Sequence, residues 1–329
     1  MPDRGAEIAA FLARNGWRGA ERRHLTGDAS FRSYERVFAD RRRAVLMDAP
    51  PEHEDVRPFV AIARYLLARG YSAPAVLAAD EAAGLLLLED LGDDLYTRVL
   101  DAGGDEAPLY AAAVDLLVDL HRELPRGLDV PPYDDARLHR EVDLLVDWFL
   151  PEITGGPAPK AVRAAFTAAW DEVFPLVRAA PEALVLFDYH APNLMWLPQR
   201  RGLARVGLLD FQDAVIGPAA YDLVSLLEDA RRDVAEATAT AMIERYLTAR
   251  PGIDRDAFAT AYAILGAQRN VRIVGTFTRL WRCDGKAHYL EHLPRVWRYI
   301  AHDLAHPALA PVRRWLDAHV PAERRGRLR

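Results

Sequence analysis

The stretch Ala183–Asp213, ALVLFDYHAPNLMWLPQRRGLARVGLLDFQD, constrains this chain most, because it sets three short apolar runs against fixed polar residues. Val185 to Phe187, Leu194 to Leu197 and Val206 to Leu209 read as strands by length and composition, so Asp188, Asn193 and Asp210 fall at strand ends and in tight loops. Loops held by a rigid scaffold are where chemistry is usually mounted. A carboxylate, an amide and a second carboxylate form a set suited to phosphoryl transfer. One carboxylate orients or deprotonates an attacking hydroxyl, while the amide and the other carboxylate hold magnesium on nucleotide phosphates.

The rest of the chain has room for such a site. At 329 residues, 51% hydrophobic and 27% charged, it can bury a large core, and its length predicts two lobes. A net charge of −6 argues against a nucleic-acid partner, and the basic ERRGRLR tail reads as a solvated terminus. No apolar run approaches the roughly 18 residues needed to cross a bilayer, and the single Cys283 excludes an internal disulfide. The opening MPDRGAEIAAFLARNG reads as an amphipathic helix with charges throughout, not as a signal peptide, which predicts a cytoplasmic protein. A monomer is the expected state.

After that helix, Arg22 to Leu25, Ser33 to Phe38 and Arg43 to Met47 read as strands joined by tight turns. Val56 to Arg69 carries apolar residues at helical spacing and Gly70 ends it; two more strands are predicted at Ala75 to Ala79 and Leu85 to Glu89. EDLGDDLY then reads as a hinge. Helices are predicted at Pro108 to Leu124, Asp134 to Leu150, Pro159 to Ala179, Ala219 to Arg231, Val234 to Ala249, Arg255 to Trp281, Ala287 to His302 and Ala310 to His319. The fold class is α+β, with a small antiparallel sheet and helix over residues 1–91 and a larger, mostly helical lobe over 92–329.

In protein kinases the base Asp precedes a metal-binding Asn by five positions, and a second metal-binding Asp opens the D-F-G turn. Here DYHAPN has that offset and DFQD replaces D-F-G. With DYHAPNLMWL at Asp188–Leu197 and GLLDFQDAVIGPAAYDLVSLLEDAR at Gly207–Arg231, the chain resembles the aminoglycoside phosphotransferase family of kinase-like folds. Within it the nearest likeness is to the kinases that phosphorylate N-acetylmuramate and N-acetylglucosamine at C1 in peptidoglycan recycling. The resemblance implies ATP and Mg2+ as cofactors, an amino sugar as partner, and a bilobal protein-kinase-like fold. It implies Asp188 as catalytic base and Asn193 and Asp210 as magnesium ligands. Asp222 is implied to brace the catalytic loop; as an Asp ahead of an apolar periodic run it could also simply cap its helix. Ala29, Ser30, Phe31 and Arg32, in TGDASFRSYERV, are implied to cover the phosphates, and Glu89 and Leu91 to meet adenine through main-chain groups. A ligand-free polar turn and an acidic turn are the plain alternatives for these two segments.

Two departures stand out. Most relatives carry a phosphate-contacting lysine on the third strand, where AVLMDAPP has Met47; Lys160 and Lys286 are the only lysines. Arg32 is expected to supply the missing charge, since a guanidinium can bond two phosphate oxygens at once, with Arg36 and Arg43 behind it. Leu186 and Phe187 stand where many kinases read His-Arg, which leaves the support of the loop open. For the acceptor, His190, Gln212, Asp213 and Arg269 are candidates, the last opposite a lactyl carboxylate; Glu141, Asp147 and Trp148 on one helical segment, and Gln268, Asn270 and Arg272 beside Arg269 on another, add polar groups. Kinases of an aminoglycoside, choline or homoserine-type acceptor and a nucleotide-binding pseudokinase are the other readings.

Overall fold

Val37 of Ser33–Ala39 and Ala44, Leu46 and Met47 of Arg42–Asp48 are the buried residues of two neighbouring strands in the first sheet, while Arg42 and Arg43 stay exposed. The structure is a computed structural model that describes residues 3–25, 31–326 and 328. Its chain divides into two compact units, residues 1–104 with 192–213, and 105–191 with 214–329.

The first unit opens with α1 (Arg4–Arg14), capped by the Asp3 side chain on the Gly5 N–H. Strands β1 (Glu21–Leu25), β2 (Ser33–Ala39) and β3 (Arg42–Asp48) follow, then α2 (Arg57–Ala68), β4 (Val76–Asp80), β5 (Leu85–Leu88) and α3 (Tyr96–Asp101). The five strands form one antiparallel sheet in the order β1-β2-β3-β5-β4, each within a residue or so of the run read as a strand in the sequence. Ile8, Phe11 and Leu12 of α1 recur at helical spacing and join Trp17, Val37, Ala44, Leu46, Leu85 and Leu87 in one apolar core. The α3 helix was not predicted. Its six residues are too few to show a period in the acidic segment that leads into it.

The second unit begins with α4 (Glu106–Leu120) and α5 (Asp135–Leu144). Where one helix was predicted to Leu150, the chain makes a π turn over Leu145–Phe149, resumes as α6 (Leu150–Thr154) and stops at Gly155 with φ +84°. Next, α7 (Lys160–Asp171) ends well short of the predicted Ala179, because Pro175 follows and the chain tightens into a 3-10 helix over Phe174–Ala179. Then β6 (Glu182–Val185) leads to a hairpin of the first unit, β7 (Leu194–Trp196) with β8 (Val206–Leu208). Back in the second unit, β9 (Val215–Pro218) pairs antiparallel with β6. This unpredicted strand is four residues long and ends in proline. Helices α8 (Ala220–Leu227), α9 (Glu236–Ala249), α10 (Arg255–Asp284), α11 (Leu293–Asp303) and α12 (Ala310–His319) complete the chain. No helix of the described residues is long and apolar enough to cross a membrane.

Candidate active site

Asp188 lies just beyond β6, on a backbone that its own sequence does not favour. Phe187 has φ +74°, the left-handed region that costs a bulky residue about 1 kcal/mol or more. Asp222 holds it there. Its Oδ2 accepts from the Leu186 N–H at 2.8 Å and its Oδ1 from the Phe187 N–H at 2.9 Å. Although Asp222 sits in the first turn of α8, that helix has no side-chain cap, so the carboxylate is spent on the loop. Behind it, His121 Nε2 is 3.3 Å from Oδ2, and His121 Nδ1 is 3.0 Å from the Tyr246 hydroxyl. Asp222 and His121 are fully buried, so the loop is held by a dry polar chain from α4, α8 and α9.

The Phe187 ring is pinned as firmly as its backbone. It stacks on Tyr221 at 4.8 Å, meets Tyr133 edge-on at 5.6 Å, and lies against the guanidinium carbons of Arg137 and Arg272 at 4.3 and 4.6 Å. The support left open by the absent His-Arg pair is thus supplied by an aromatic ring and by His121, which nothing in LLVDLHRELP singled out.

Arg272 Nη2 stands 3.6 Å from Asp188 Oδ1, and Nη1 is 3.7 Å from Glu141 Oε1. Burial opposes the Arg272 charge, but Tyr221, Glu141, Asp188 and Tyr133 outweigh it and raise its pKa. Glu141 in turn accepts from the Tyr133 hydroxyl at 2.6 Å, from Gln268 Nε2 at 3.0 Å and from Arg137 Nε at 3.1 Å. The close crossing of α5 and α10 brings this group together. A Cβ on Gly275 would lie 2.3–2.6 Å from the carbonyl group and Cβ of Leu144, so only glycine lets the helices meet three residues beyond Glu141 and Arg272.

His190 is buried, and burial drives its imidazole down to about 3, so it is neutral at ordinary pH; its Nδ1 has no hydrogen-bond partner among the described residues. Arg269, only 3% exposed, donates from Nη1 to the Glu228 carbonyl at 3.2 Å.

Asn193 and Asp210 belong to the first unit. Asp210, with φ +56°, follows β8, and Asn193 precedes β7; the Leu209 N–H donates to the Asn193 carbonyl at 3.0 Å. Asn193 Nδ2 lies 3.4 Å from Asp210 Oδ2, and Asp210 Oδ1 accepts from Gln212 Nε2 at 3.0 Å and Arg32 Nη2 at 3.2 Å. Gln212 Nε2 also reaches Asp213 Oδ2 at 3.0 Å. One carboxylate and one amide are hard oxygen donors, a set that fits magnesium, which binds through one or two carboxylates while keeping waters and substrate phosphates. Burial opposes the Arg32 charge, but Tyr34, Asp210, Glu54 and Asp213 together raise its pKa; burial also pushes the Tyr34 phenol up to about 12.

Met47, at the strand position expected for lysine, is 1% exposed. Arg36 and Arg43 both pair with Asp90, at 2.8 and 3.3 Å. Glu89 is tied to Arg200 at 2.5 Å, and its N–H donates to the Ala75 carbonyl; half-buried Leu91 packs where a Cβ on Gly207 would meet it at 3.2 Å. Phe31 is 67% exposed and stacks on His53 at 4.4 Å, while Ala29 and Ser30 lie outside the described residues.

Residues 21–259 match the phosphotransferase enzyme family. An N-acetylmuramate/N-acetylglucosamine kinase of Caulobacter vibrioides is 43% identical with 98% of each chain covered. A protein of the same name from Pseudomonas putida is 36% identical over 84% of this chain and 81% of its own. Among solved structures, choline kinase LicA from Streptococcus pneumoniae matches with TM-score 0.63 at 12% identity, covering 92% of this chain and 100% of its own. The GDP complex of aminoglycoside 2'-phosphotransferase-IIIa matches with TM-score 0.64 at 13% identity, covering 92% and 99%. At those identities the likeness is one of fold.

Proposed function

The chain belongs to the phosphotransferase enzyme family, and from that premise we propose that it transfers the γ-phosphoryl group of ATP to the C1 hydroxyl of N-acetylmuramate and N-acetylglucosamine. The observation that carries the substrate is the 43% identity, over 98% of both chains, to a kinase named for these two sugars. Asp188, fixed by Asp222 through the Leu186 and Phe187 N–H groups, orients the acceptor hydroxyl and takes its proton. The acceptor oxygen then forms the new bond to phosphorus as the bond from the γ-phosphorus to the bridging oxygen breaks, leaving ADP and a sugar 1-phosphate. Asn193 and Asp210 would hold magnesium, which neutralises phosphate charge when bound. Arg32, beside Asp210, replaces the lysine missing at Met47. Ala29, Ser30 and Phe31 cover the phosphates, and Glu89 and Leu91 meet adenine, with the 1–91 lobe as the nucleotide cover and 92–329 as the acceptor lobe. His190, Gln212, Asp213 and Arg269 belong to the acceptor's surroundings. Such an enzyme acts where ATP is held, in the cytoplasm, and returns cell-wall amino sugars to use.

The test is to incubate the protein with Mg-ATP and either amino sugar and to examine the product by 31P and 1H NMR. Phosphorus coupled to the anomeric proton is expected; phosphate on any other carbon, or no product, rejects the reading.

A further inference from the structure

Arg272 is the charged group at Asp188 that the mechanism above leaves unused. Among the described residues its guanidinium makes no hydrogen bond, although it is largely buried: its two carboxylate neighbours stand at 3.6 and 3.7 Å, beyond bonding reach. Its pose is nonetheless fixed, by the Phe187 ring on one side and by Glu141, itself held by Tyr133, Gln268 and Arg137. A guanidinium left 17% exposed beside Asp188, with five donors and no hydrogen bond among the described residues, can offer donors to an oxygen acceptor there.

The position of that oxygen follows from Asp188. A hydroxyl held on the Asp188 carboxylate brings the substituent on the adjacent carbon towards Arg272. The charge of the oxygen follows from the neighbours. Arg272 and Arg137 carry two positive charges, Glu141 and Asp188 two negative ones, so the group is already balanced. A second anion would find no surplus positive charge, whereas a neutral amide carbonyl needs only donors. On the proposed substrates the carbon next to the reacting one bears an acetamido group. Resting on that reading of the reaction, we infer that Arg272 is a specificity-determining residue that donates to the 2-acetamido carbonyl of the sugar and selects N-acetylated acceptors over plain hexoses.

The experiment compares the wild type with Arg272→Lys and Arg272→Gln. The kcat/KM for N-acetylglucosamine is measured together with the inhibition constant of glucose, which lacks the acetamido group, as a competitor. A charge-assisted hydrogen bond contributes about 1.5–3 kcal/mol, so kcat/KM for N-acetylglucosamine should fall roughly 10- to 100-fold, while glucose inhibits within twofold of wild type. Retained glucose binding also shows that the variant site is folded. Equal weakening of both sugars, with a displaced acid limb of the pH profile, would mean that Arg272 acts only through Asp188 and would overturn the assignment, as would unchanged selectivity. A wild type that phosphorylates neither amino sugar instead removes the reading of the reaction on which the assignment rests.

Discussion

The two carboxylates at the centre of the proposed chemistry are built in opposite ways. Asp210 finds Gln212 two residues on and Asn193 across a short hairpin, with Arg32 as its distant partner, and its side chain is 38% exposed. Asp188 is organised from far along the chain: Asp222 holds the backbone before it, His121 stands behind Asp222, and Arg272 comes from α10. The first arrangement is local, polar and open to solvent. The second is a largely buried network whose four members lie on four separate segments. A local arrangement can lose its central residue and keep the fold, whereas the buried network depends on the Asp222 carboxylate at its core.

Substitution at the two carboxylates should sharpen this contrast with the largest effects. Asp188→Asn keeps the shape but removes the base, and turnover should fall about 10²- to 10⁴-fold with the melting temperature little changed. Asp210→Ala should likewise abolish magnesium-dependent turnover without unfolding the chain. Steady-state kinetics beside a thermal melt checks both; an active Asp188→Asn variant would remove Asp188 from its role.

Asp222→Ala tests the other half of the comparison. Two buried N–H groups and His121 would lose their acceptor, at about 1–3 kcal/mol for each orphaned group. Phe187 would also lose the bonds that hold it at φ +74°. Stability and turnover should therefore fall together, seen as an earlier denaturant midpoint and a kcat loss of about 10-fold or more. Loss of turnover alone, at unchanged midpoint, would show that the loop keeps its conformation without the network and that the two halves are built alike.

This difference also explains what was legible beforehand. The five-strand sheet could be read because short apolar runs and turn residues are local signals, and the proximity of Asn193 and Asp210 could be read because one hairpin carries both. The role of Arg272 could not. It stands three residues from Arg269 on the same helix, and only the crossing with α5 decides which of the two reaches Asp188 and which turns to the Glu228 carbonyl. Nor did any pattern mark His121, whose partners Asp222 and Tyr246 are each more than a hundred residues away. The π turn at Leu145–Phe149 and the break before Pro175 escaped because apolar periodicity continues through both.

Gly275→Ala probes the crossing itself. The added methyl would meet the Leu144 backbone at 2.3 Å, so α5 and α10 must separate, which should cost about 1–3 kcal/mol despite alanine's better helix propensity. Because Glu141 and Arg272 lie one turn away on the same two helices, KM for the sugar should rise several-fold while KM for ATP stays near wild type. A rise in both, or in neither, would uncouple the crossing from the acceptor half.

The smallest effect expected is a pH dependence of stability in the second unit, where buried charge should be felt well away from Asp188. Burial raises the Glu228 carboxyl to about 7 from an ordinary 4.5, against the opposing hydrogen bond from Asn270 at 2.6 Å and the charge of Arg269; burial raises Asp303 as well. Between pH 4.5 and 7 the folded protein therefore keeps a proton on Glu228 that the unfolded chain has released, so this contribution is full below 4.5 and is lost as pH rises through about 7. His190, driven down to about 3, works the other way: its neutral form contributes stability above its ordinary 6.5, and that contribution fades as pH falls towards 3. The two slopes oppose each other, so wild-type melting temperatures should vary little between pH 5 and 7. Glu228→Gln removes the falling slope that Glu228 contributes and leaves the rising one of His190. The variant's melting temperature should then climb relative to wild type by about 2–5 °C across that window. Parallel curves for the two proteins would show that Glu228 is ionised throughout, and that the second unit tolerates a buried charge as readily as the open hairpin around Asp210 does.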